Sequence, residues 1–234
     1  MQAIQRYAMI DYMGTWNIGA FIASTNRFTI IGEGFRPQVK EDIARTLNTE
    51  VIVQRIYGED IVGCLIVASS NGVIVPFETY DHEVKALKER LDVNVEKVRF
   101  YGIYSNALGN ILLINEDRGV IHSKIYRQNR ATLEKIEDTL GIEICPVNIE
   151  FTDALASYIV VNSNGIVFSP LFKEEEIEEI RKFFGFSKSR AIVATINMGN
   201  PIVRSGCIAN DKGLLVGNRT TGIELARIYN ALLG

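Results

Sequence analysis

Cysteine and histidine are the residues of this chain that could support nucleophilic or metal chemistry, and it has three cysteines and two histidines. A catalytic cysteine needs a neighbouring base and a third group that orients the base. A zinc site needs several cysteine, histidine or acidic ligands at short, regular spacing. Neither His82 nor His122 has partners at such a spacing. We therefore predict no metal site and expect both histidines to be surface or hydrogen-bonded residues.

Phosphate-binding loops are also missing from the sequence. Gly32-Glu33-Gly34 begins like a dinucleotide fingerprint, but Phe35-Arg36-Pro37 follows where the pattern needs a further glycine. Neither a Walker-type loop nor a nucleophile elbow occurs. The sequence therefore predicts no catalytic residue, no cofactor and no enzymatic activity.

The elements that would position any site repeat five times along the chain. Each repeat has an apolar strand, a turn that contains Asn or Asp and usually ends in Gly, a second apolar strand, and an amphipathic helix. The turns fall at Arg27, Gly72, Gly119, Gly165 and Gly213, so the steps are 45, 47, 46 and 48 residues. A period of this size is typical of propellers, solenoids and other repeat folds.

The second repeat has the clearest pattern. The near-continuous apolar run Ile61–Ala68 predicts a strand that is buried on both faces. Gly72 closes the following turn, where we expect it to supply the positive φ of a tight hairpin. A second strand at Val73–Val75, a helix with Leu87 on its apolar stripe and a third strand at Val93–Val98 complete a ββαβ unit.

The two ends of the chain suggest how five such units are joined. The last repeat stops after its helix, and the segment 3–13 is a strand-like sequence ahead of the first repeat. A ring closed by this N-terminal strand leaves no sheet edges exposed. We therefore predict an α/β fold, a closed ring of five ββαβ repeats with pseudo-fivefold symmetry. The single domain would span 1–234, with repeats at about 14–56, 57–100, 101–149, 150–196 and 197–234.

The cysteines leave one catalytic alternative open, because some fivefold rings are guanidine-modifying enzymes with a nucleophilic cysteine. Cys64 follows Gly63 and Cys207 follows Gly206, each at the start of a predicted first strand. A residue that recurs at one position is more simply a small core residue. We therefore interpret these cysteines as structural and keep a cysteine-dependent guanidine hydrolase as the alternative.

Composition and charge narrow the choice of partner. Of the 234 residues, 47% are hydrophobic and 23% charged, and the net charge is −3. This balance lacks the basic field that dominates nucleic-acid affinity, so we expect little direct nucleic-acid binding. No apolar run is long enough for a membrane span, no signal peptide is evident, and three unpaired cysteines suit reduced thiols. The sequence therefore predicts a cytoplasmic protein without a membrane partner.

The loops that precede the first strands are the best candidates for a binding surface. Pseudo-fivefold geometry places all five at one end of the ring, where apolar residues such as Trp16, Leu108 and Met198 stand among amides. Apolar anchors inside a polar rim are typical of protein interfaces. Trp16 and Leu108 could equally plug the ends of the core. The loops are Thr15–Gly19, Tyr57–Asp60, Tyr104–Asn110, Phe151–Leu155 and Thr195–Asn200.

Several stretches in this order resemble the translation initiation factor 6 family, ribosomal anti-association factors, in its archaeal form without the eukaryotic C-terminal tail. The matching stretches are Asn17–Gly19, Asn71–Pro76 with Glu83, Ala107–Asn110, Ser163–Gly165, Thr195–Gly199 and Asn218–Thr221 with Glu224. The resemblance implies the pentein fold, a five-bladed ββαβ ring, and covers nearly the whole chain.

The resemblance also implies a function. A member of this family binds the free large ribosomal subunit on its intersubunit face, mainly through ribosomal protein near the sarcin–ricin loop. It blocks subunit joining sterically, takes part in large-subunit maturation and is released by a GTPase, and we expect it to be a monomer. A ring-shaped scaffold unrelated to ribosomes remains a third reading.

Family contact loops and loop composition together give the candidate partner-binding residues. We expect Gly19 and Gly109 to matter because a side chain there would hold the partner's backbone away. The candidates are Trp16, Asn17, Gly19, Asp60, Ala107, Leu108, Gly109, Asn110, Asn197, Met198, Gly199 and Asn200.

Overall fold

Five small sheets arranged in a ring form the molecule. The computed structural model describes residues 6–102 and 106–234, so residues 3–5 of the predicted N-terminal strand and 104–105 of the third candidate loop lie outside the described residues. Across these ranges fifteen strands form five three-stranded sheets; in the first four repeats helical segments join the second strand to the third, and in the fifth a helix follows the second strand. The predicted α/β ring of ββαβ repeats is confirmed.

Each sheet has the same internal order. The second strand of a repeat lies in the middle, antiparallel to the first strand and parallel to the third. The first, second and third strands are β2 (Ile22–Ser24), β3 (Phe28–Ile31) and β4 (Glu50–Val53); β5 (Val67–Ser69), β6 (Gly72–Pro76) and β7 (Asn94–Val98); β8 (Leu112–Ile114), β9 (Arg118–His122) and β10 (Glu143–Val147); β11 (Ile159–Val161), β12 (Ile166–Phe168) and β13 (Ala191–Val193); and β14 (Cys207–Ala209), β15 (Leu214–Gly217) and β1 (Tyr7–Ile10).

The fifth sheet takes its third strand from the other end of the chain. β1 lies parallel to β15, with Tyr7 opposite Leu214 and Ile10 opposite Gly217. Beside this pair, Nη1 of Arg6 donates a hydrogen bond of 2.9 Å to the carbonyl oxygen of Leu233. The first and last repeats are therefore joined by a ladder of backbone hydrogen bonds.

The long helices pack one apolar stripe each against the sheets. In the second repeat the stripe holds Leu87 and Leu91, and in the fifth it holds Ile228 and Leu232, all of them buried. Buried apolar residues form five clusters around the ring, and the second cluster joins Phe28 of the first repeat to Leu87 of the second. The helices are α1 (Pro37–Leu47), α2 (Val62–Leu65), α3 (Asp81–Leu91), α4 (Leu108–Ile111), α5 (Ser123–Gln128), α6 (Arg130–Leu140), α7 (Glu174–Phe183), α8 (Val203–Gly206) and α9 (Gly222–Leu232).

A short helical turn precedes every first strand, and here the strand prediction for Ile61–Ala68 is wrong in its first half. Val62–Leu65 is the one-turn helix α2, and only Val67–Ser69 is strand. An apolar run of this length does not distinguish a buried strand from a buried helical segment. The five turns contact one another around the axis of the ring. They are Ile18–Ala20, Val62–Leu65, Leu108–Ile111, Leu155–Tyr158 and Val203–Gly206.

The glycines between first and second strands serve packing, so the expected positive φ is wrong. Gly72, Gly165 and Gly213 do not adopt left-handed backbone. A Cβ on Gly213 would overlap the carbonyl oxygen of Thr46, and a Cβ on Gly165 would overlap that of Ala231. These carbonyls belong to the last turn of the helix in the next repeat. Glycine is needed because adjacent repeats meet here backbone to backbone.

The first strands surround a narrow axial cavity of about 60 Å³. β2, β5, β8, β11 and β14 contact one another in a closed cycle. Their side chains line the cavity, together with that of Arg204. Within the described part of the chain, every helix is too short or too polar to cross a membrane.

Candidate functional site

A group of exposed apolar residues lies at one end of the ring. Each follows a third strand, and because third strands run parallel to second strands, all five turns emerge at the same end. We call these residues the crown. They are Met13 (79% exposed), Tyr57 (41%), Tyr101 (70%), Phe151 (39%) and Met198 (71%).

Three crown residues have an unusual backbone conformation. Met13, Tyr57 and Met198 have φ of 49°, 59° and 66°, and the residue after each is a glycine that also has positive φ. Positive φ is a genuine outlier for bulky residues outside glycine, and it persists only where the surroundings impose it. The turns therefore hold these side chains outward in one fixed direction.

An acidic side chain at the start of a long helix holds the fifth turn in place. The carboxylate of Glu224 accepts hydrogen bonds from the backbone N–H groups of Met198 (3.2 Å) and Gly199 (2.9 Å) and from the hydroxyl groups of Thr195 and Thr221. Burial raises the pKa of Glu224, but these hydrogen bonds outweigh it and leave the pKa below its usual value. The carboxylate is therefore ionised at neutral pH and fixes the turn.

The second and fourth repeats use the same device. Glu83 accepts the backbone N–H groups of Tyr57 (2.7 Å) and Gly58 (2.9 Å), and Glu176 accepts that of Glu150 (3.0 Å). Charge-assisted hydrogen bonds of this kind are stronger than neutral ones. Carboxylates in the first turns of these helices therefore fix the backbone of the crown turns.

Sequence reasoning did not select most crown residues, although the chain contains a signal for them. A Met-Gly or Tyr-Gly pair occurs four times in the chain, each time shortly after a third strand. The pairs are Met13-Gly14, Tyr57-Gly58, Tyr101-Gly102 and Met198-Gly199. Glycine accommodates the positive φ of a tight turn, so a glycine placed just after a predicted strand predicts such a turn with the preceding side chain at its tip.

The predicted partner-binding residues fall into three groups by burial. Met198 and Gly199 are exposed at the crown. Partly exposed residues are Trp16, Asn17, Asp60, Ala107, Asn110 and Asn200. Buried residues are Gly19, Leu108, Gly109 and Asn197.

Leu108, Gly19 and Gly109 have structural roles in the ring. From the sequence alone, contact with a partner is the expected reason for these glycines, and the structure gives a different one. Leu108 is 1% exposed, as buried as the first residue of every other short turn. A Cβ on Gly109 would overlap the carbonyl oxygen of Gly63, and a Cβ on Gly19 would overlap that of Arg204. Glycine is needed because neighbouring repeats touch at the axis, and no approach of a partner's backbone is required to explain it.

Asn197 also faces inward. It is 6% exposed, its Nδ2 donates to the carbonyl oxygen of Trp16 (3.2 Å), and its Oδ1 accepts from the hydroxyl of Thr220 (3.1 Å). The bond to Trp16 spans the junction between the last repeat and the first, and the bond from Thr220 lies within the last repeat. Asn197 therefore positions the Trp16 loop while its neighbour Met198 faces outward.

Trp16 lies at the surface, where the side chain of Arg219 packs over its ring. The guanidinium carbon of Arg219 is 3.6 Å from the centre of its ring. Arginine over the face of tryptophan is a favourable cation–π arrangement. The next residue, Asn17, has a buried side-chain oxygen that accepts no hydrogen bond from the residues that the structure describes. Trp16 and Arg219 together form an amphipathic patch beside the crown.

Asp60 links the first repeat to the second. The hydroxyl of Tyr12 donates to its carboxylate at 2.5 Å, and the backbone N–H of Glu33 donates at 3.1 Å. Burial and the adjacent Asp60 raise the pKa of Tyr12 to about 12. Burial opposes ionisation of Asp60, but its bonds to Tyr12, Glu33 and Arg55 lower its pKa. Asp60 is therefore committed to this contact.

The cysteines lack the surroundings of a nucleophile. Burial raises the pKa of the Cys207 thiol to about 12, and burial also raises the pKa values of Cys64 and Cys145. The predicted equivalence of Cys64 and Cys207 is wrong, because Cys64 is the third residue of α2 and Cys207 follows the end of α8. Across residues 6–102 and 106–234, no three His, Cys, Asp or Glu side chains are grouped to hold a metal ion.

Comparison with known proteins agrees with this architecture. The sequence model of the eIF-6 family matches residues 7–231. Translation initiation factor 6 of Saccharolobus islandicus is 35% identical over 225 residues, which cover 95% of this chain and 97% of that protein. The proteins of the same name from Staphylothermus marinus and Pyrococcus horikoshii are each 32% identical, with 96% and 95% of this chain covered and 96% of each relative.

The chain belongs to the eIF-6 family. The match extends from β1 to α9 and so includes the strand that closes the ring. Family membership confirms the resemblance read from the ordered stretches of sequence. It covers all five crown turns, and the relatives are translation initiation factors by name.

Proposed function

We propose that this protein is a translation factor that binds the free large ribosomal subunit through the crown and thereby prevents joining of the small subunit. The observation that carries the proposal is the crown itself: five outward apolar side chains at one end of a rigid ring. Family membership supports the ribosomal context.

The physical character of the crown suits protein recognition. Tyrosine and methionine are enriched at the centres of protein interfaces, where a few anchors carry most of the binding energy. The braced turns fix these side chains before binding, so less conformational entropy is lost on association. A rigid ring standing on the joining face would exclude the small subunit by volume alone.

Charge supports ribosomal protein, and not bare RNA, as the main contact. The chain has a net charge of −3, and ribosomal proteins are generally basic. An acidic body is steered towards a basic patch and repelled by exposed phosphates. The proposal therefore places the contact on ribosomal protein near the sarcin–ricin loop, with the factor acting as a cytoplasmic monomer in subunit maturation as well as anti-association.

Co-sedimentation with separated ribosomal subunits tests the binding step. The native protein should sediment with the large subunit and stay in the supernatant with the small one. The double variant Tyr101→Asp with Met198→Asp should lose this retention while its melting temperature stays near native. A control is Lys88→Asp, which introduces the same carboxylate at an exposed site in the last turn of α3, away from the crown.

Light scattering tests the anti-association step. Native protein added before the subunits are mixed should suppress formation of the joined ribosome in proportion to its concentration, and the crown variant should not. Retention by the crown variant together with loss in Lys88→Asp would refute the choice of surface. Equal retention on both subunits would refute the proposed partner.

A further inference from the structure

One arginine breaks the pattern of small residues around the axis. The second residue of the short helical turn is Gly19, Gly63, Gly109 and Ala156 in the first four repeats, and Arg204 in the fifth. At Gly19, Gly63 and Gly109 the backbones of neighbouring repeats meet, which leaves no room for a side chain. Only the fifth repeat therefore places a long cationic side chain at the axis.

The side chain of Arg204 lines two connected features. It borders the axial cavity between the first strands, and it borders a wider cavity of about 190 Å³ at the mouth of that axis. Cys64, Asn110 and Ser157 also line the mouth, each as the third residue of its short turn. The mouth lies at the crown end, because the short turns follow the crown turns directly along the chain.

No protein group balances the charge of Arg204. Among the described residues, no ion pair or hydrogen bond involves its guanidinium group, and its nearest titratable neighbours are the thiols of Cys64 and Cys207. Burial lowers the pKa of Arg204, yet an arginine remains protonated in proteins. Arg204 is only partly buried at this mouth, and a partly buried cation without a protein partner is available to pair with an anion that reaches the cavity.

The carboxylates of the axial region lie elsewhere and are already occupied. Glu116 accepts the backbone N–H groups of Asn26 and Ser70, and Asp211 accepts the backbone N–H of Ser163. These residues line the opposite mouth of the axis, beyond the turns between first and second strands. The axis is therefore cationic at the crown end and acidic at the far end.

We propose that the crown-end mouth of the axis is a binding site for a small oxyanion of the phosphate or sulfate type, held by the guanidinium group of Arg204. The guanidinium presents five N–H donors in a fork that suits tetrahedral oxyanions. The hydroxyl of Ser157, which has no hydrogen-bond partner among the described residues, and the side chain of Asn110 are the neutral donors at the same mouth.

The site selects a free ion over a polymer. A cavity of about 190 Å³ admits a small anion with a few waters, and the acidic body around it repels an extended polyanion. The proposal stands apart from the proposed function, because it concerns the isolated protein and needs no ribosome.

Calorimetry and thermal unfolding with inorganic phosphate test the site. Native protein should bind phosphate saturably with one ion per chain, and its melting temperature should rise by roughly 5 °C at phosphate well above the Kd. Arg204→Met should abolish both effects and should melt near the native temperature in phosphate-free chloride buffer, because Arg204 is partly exposed and its loss breaks no ion pair of the described residues. A control is Arg45→Met on α1, where Arg45 is exposed and paired with Asp42; it should behave as native.

Arg204→Lys is a second variant, which keeps the positive charge but lacks the forked N–H donors of the guanidinium group. It should bind phosphate at least tenfold more weakly than the native protein. Absence of saturable phosphate binding in the native protein would overturn the proposal, and so would equal binding by native protein and Arg204→Met. A short oligonucleotide presents phosphate groups on a polymer. A saturable shift of the melting temperature with the oligonucleotide, and none with inorganic phosphate, would also overturn the proposal.

Discussion

At the end of the ring away from the crown, the turns between first and second strands bond to the neighbouring repeat. Nδ2 of Asn210 donates to the carbonyl oxygens of Thr25 (3.0 Å) and Leu47 (2.9 Å) in the first repeat. Nδ2 of Asn162 donates in the same way to Leu232 (2.9 Å) in the fifth. At the crown end, by contrast, the tips of the turns project their side chains into solvent.

The difference shows how one repeat supplies both stability and recognition. The far-end turns satisfy the last carbonyls of the next helix, which would otherwise lack partners. The crown turns are held through their backbone groups by residues such as Glu83 and Glu224, and they leave the side chains of Met13, Tyr101 and Met198 largely exposed. Tyr57 and Phe151 are less exposed and also pack against neighbouring aromatic rings. Substitutions at the far end and the axis should therefore cost stability, and substitutions at the tips should cost binding.

The largest effect should come from Gly109→Asp at the axis. The new side chain would overlap the carbonyl oxygen of Gly63 and bury a carboxylate, so we expect the free energy of unfolding to fall by more than ~4 kcal/mol. Gly222→Ala is the control, because a Cβ there meets nothing and φ is not positive; it should change stability by less than ~1 kcal/mol. Urea denaturation measures both. A native-like midpoint for Gly109→Asp would contradict the packing at the axis.

Asn210→Ala should have the next largest effect. It removes two buried donors and leaves the carbonyl oxygens of Thr25 and Leu47 without them, which we expect to cost ~2–3 kcal/mol. Binding to the large subunit should be unchanged once the protein is folded. Chemical denaturation and co-sedimentation of the same variant separate these readouts. Lost binding at native stability would mean that the far end takes part in recognition.

A smaller effect should appear at alkaline pH, through the contact between Tyr12 and Asp60. The folded-state pKa of Tyr12 is raised from 10 to about 12, so its stabilising contribution is complete below pH 10 and is lost as the pH rises towards 12. With allowance for solvent, the loss should be about 1–2 kcal/mol. Unfolding measured from pH 9 to 12 should show this slope in native protein. Tyr12→Phe should lack it; an equal slope in both would assign the effect to other groups.

The smallest change in stability should come from Met198→Asp at a crown tip. Met198 is 71% exposed, so unfolding should change by less than ~0.5 kcal/mol. Affinity for the large subunit should fall about tenfold, the usual scale for one interface anchor. Titration by co-sedimentation measures the affinity. Unchanged affinity would move the interface away from this tip.

The repeat spacing predicted the ring, but it could not predict what each glycine does. The steps between Gly72, Gly119, Gly165 and Gly213 are fixed by the size of one ββαβ unit, which is a local property of the sequence. The role of Gly213 depends on Thr46, a residue that comes close only when the ring is closed. Local conformational rules therefore predicted the positions of these glycines correctly but gave the wrong reason for them.

The short helical turns and the crown residues show the same limit of prediction from local sequence. Val62–Leu65 is an apolar segment like the strand after it, and its helical turn packs against the equivalent turns of neighbouring repeats, which the local sequence does not reveal. Leu108 and Asn197 looked like interface residues because they lie in loops, but both are buried. Tyr57 and Tyr101 were not selected, since a single tyrosine in one loop has no meaning until its four equivalents stand beside it.

The pairing of β1 with β15 also determines the order of events during synthesis. Tyr7 cannot find its partner until Leu214 has been translated, so the fifth sheet stays incomplete while the other four can already form. Closing a loop of this length carries a large entropic cost and slows folding. Until then β15 keeps an unpaired edge that is open to other chains. Closure of the ring therefore cannot precede synthesis of β15, and the unpaired edge of that strand favours association with other chains until β1 pairs with it.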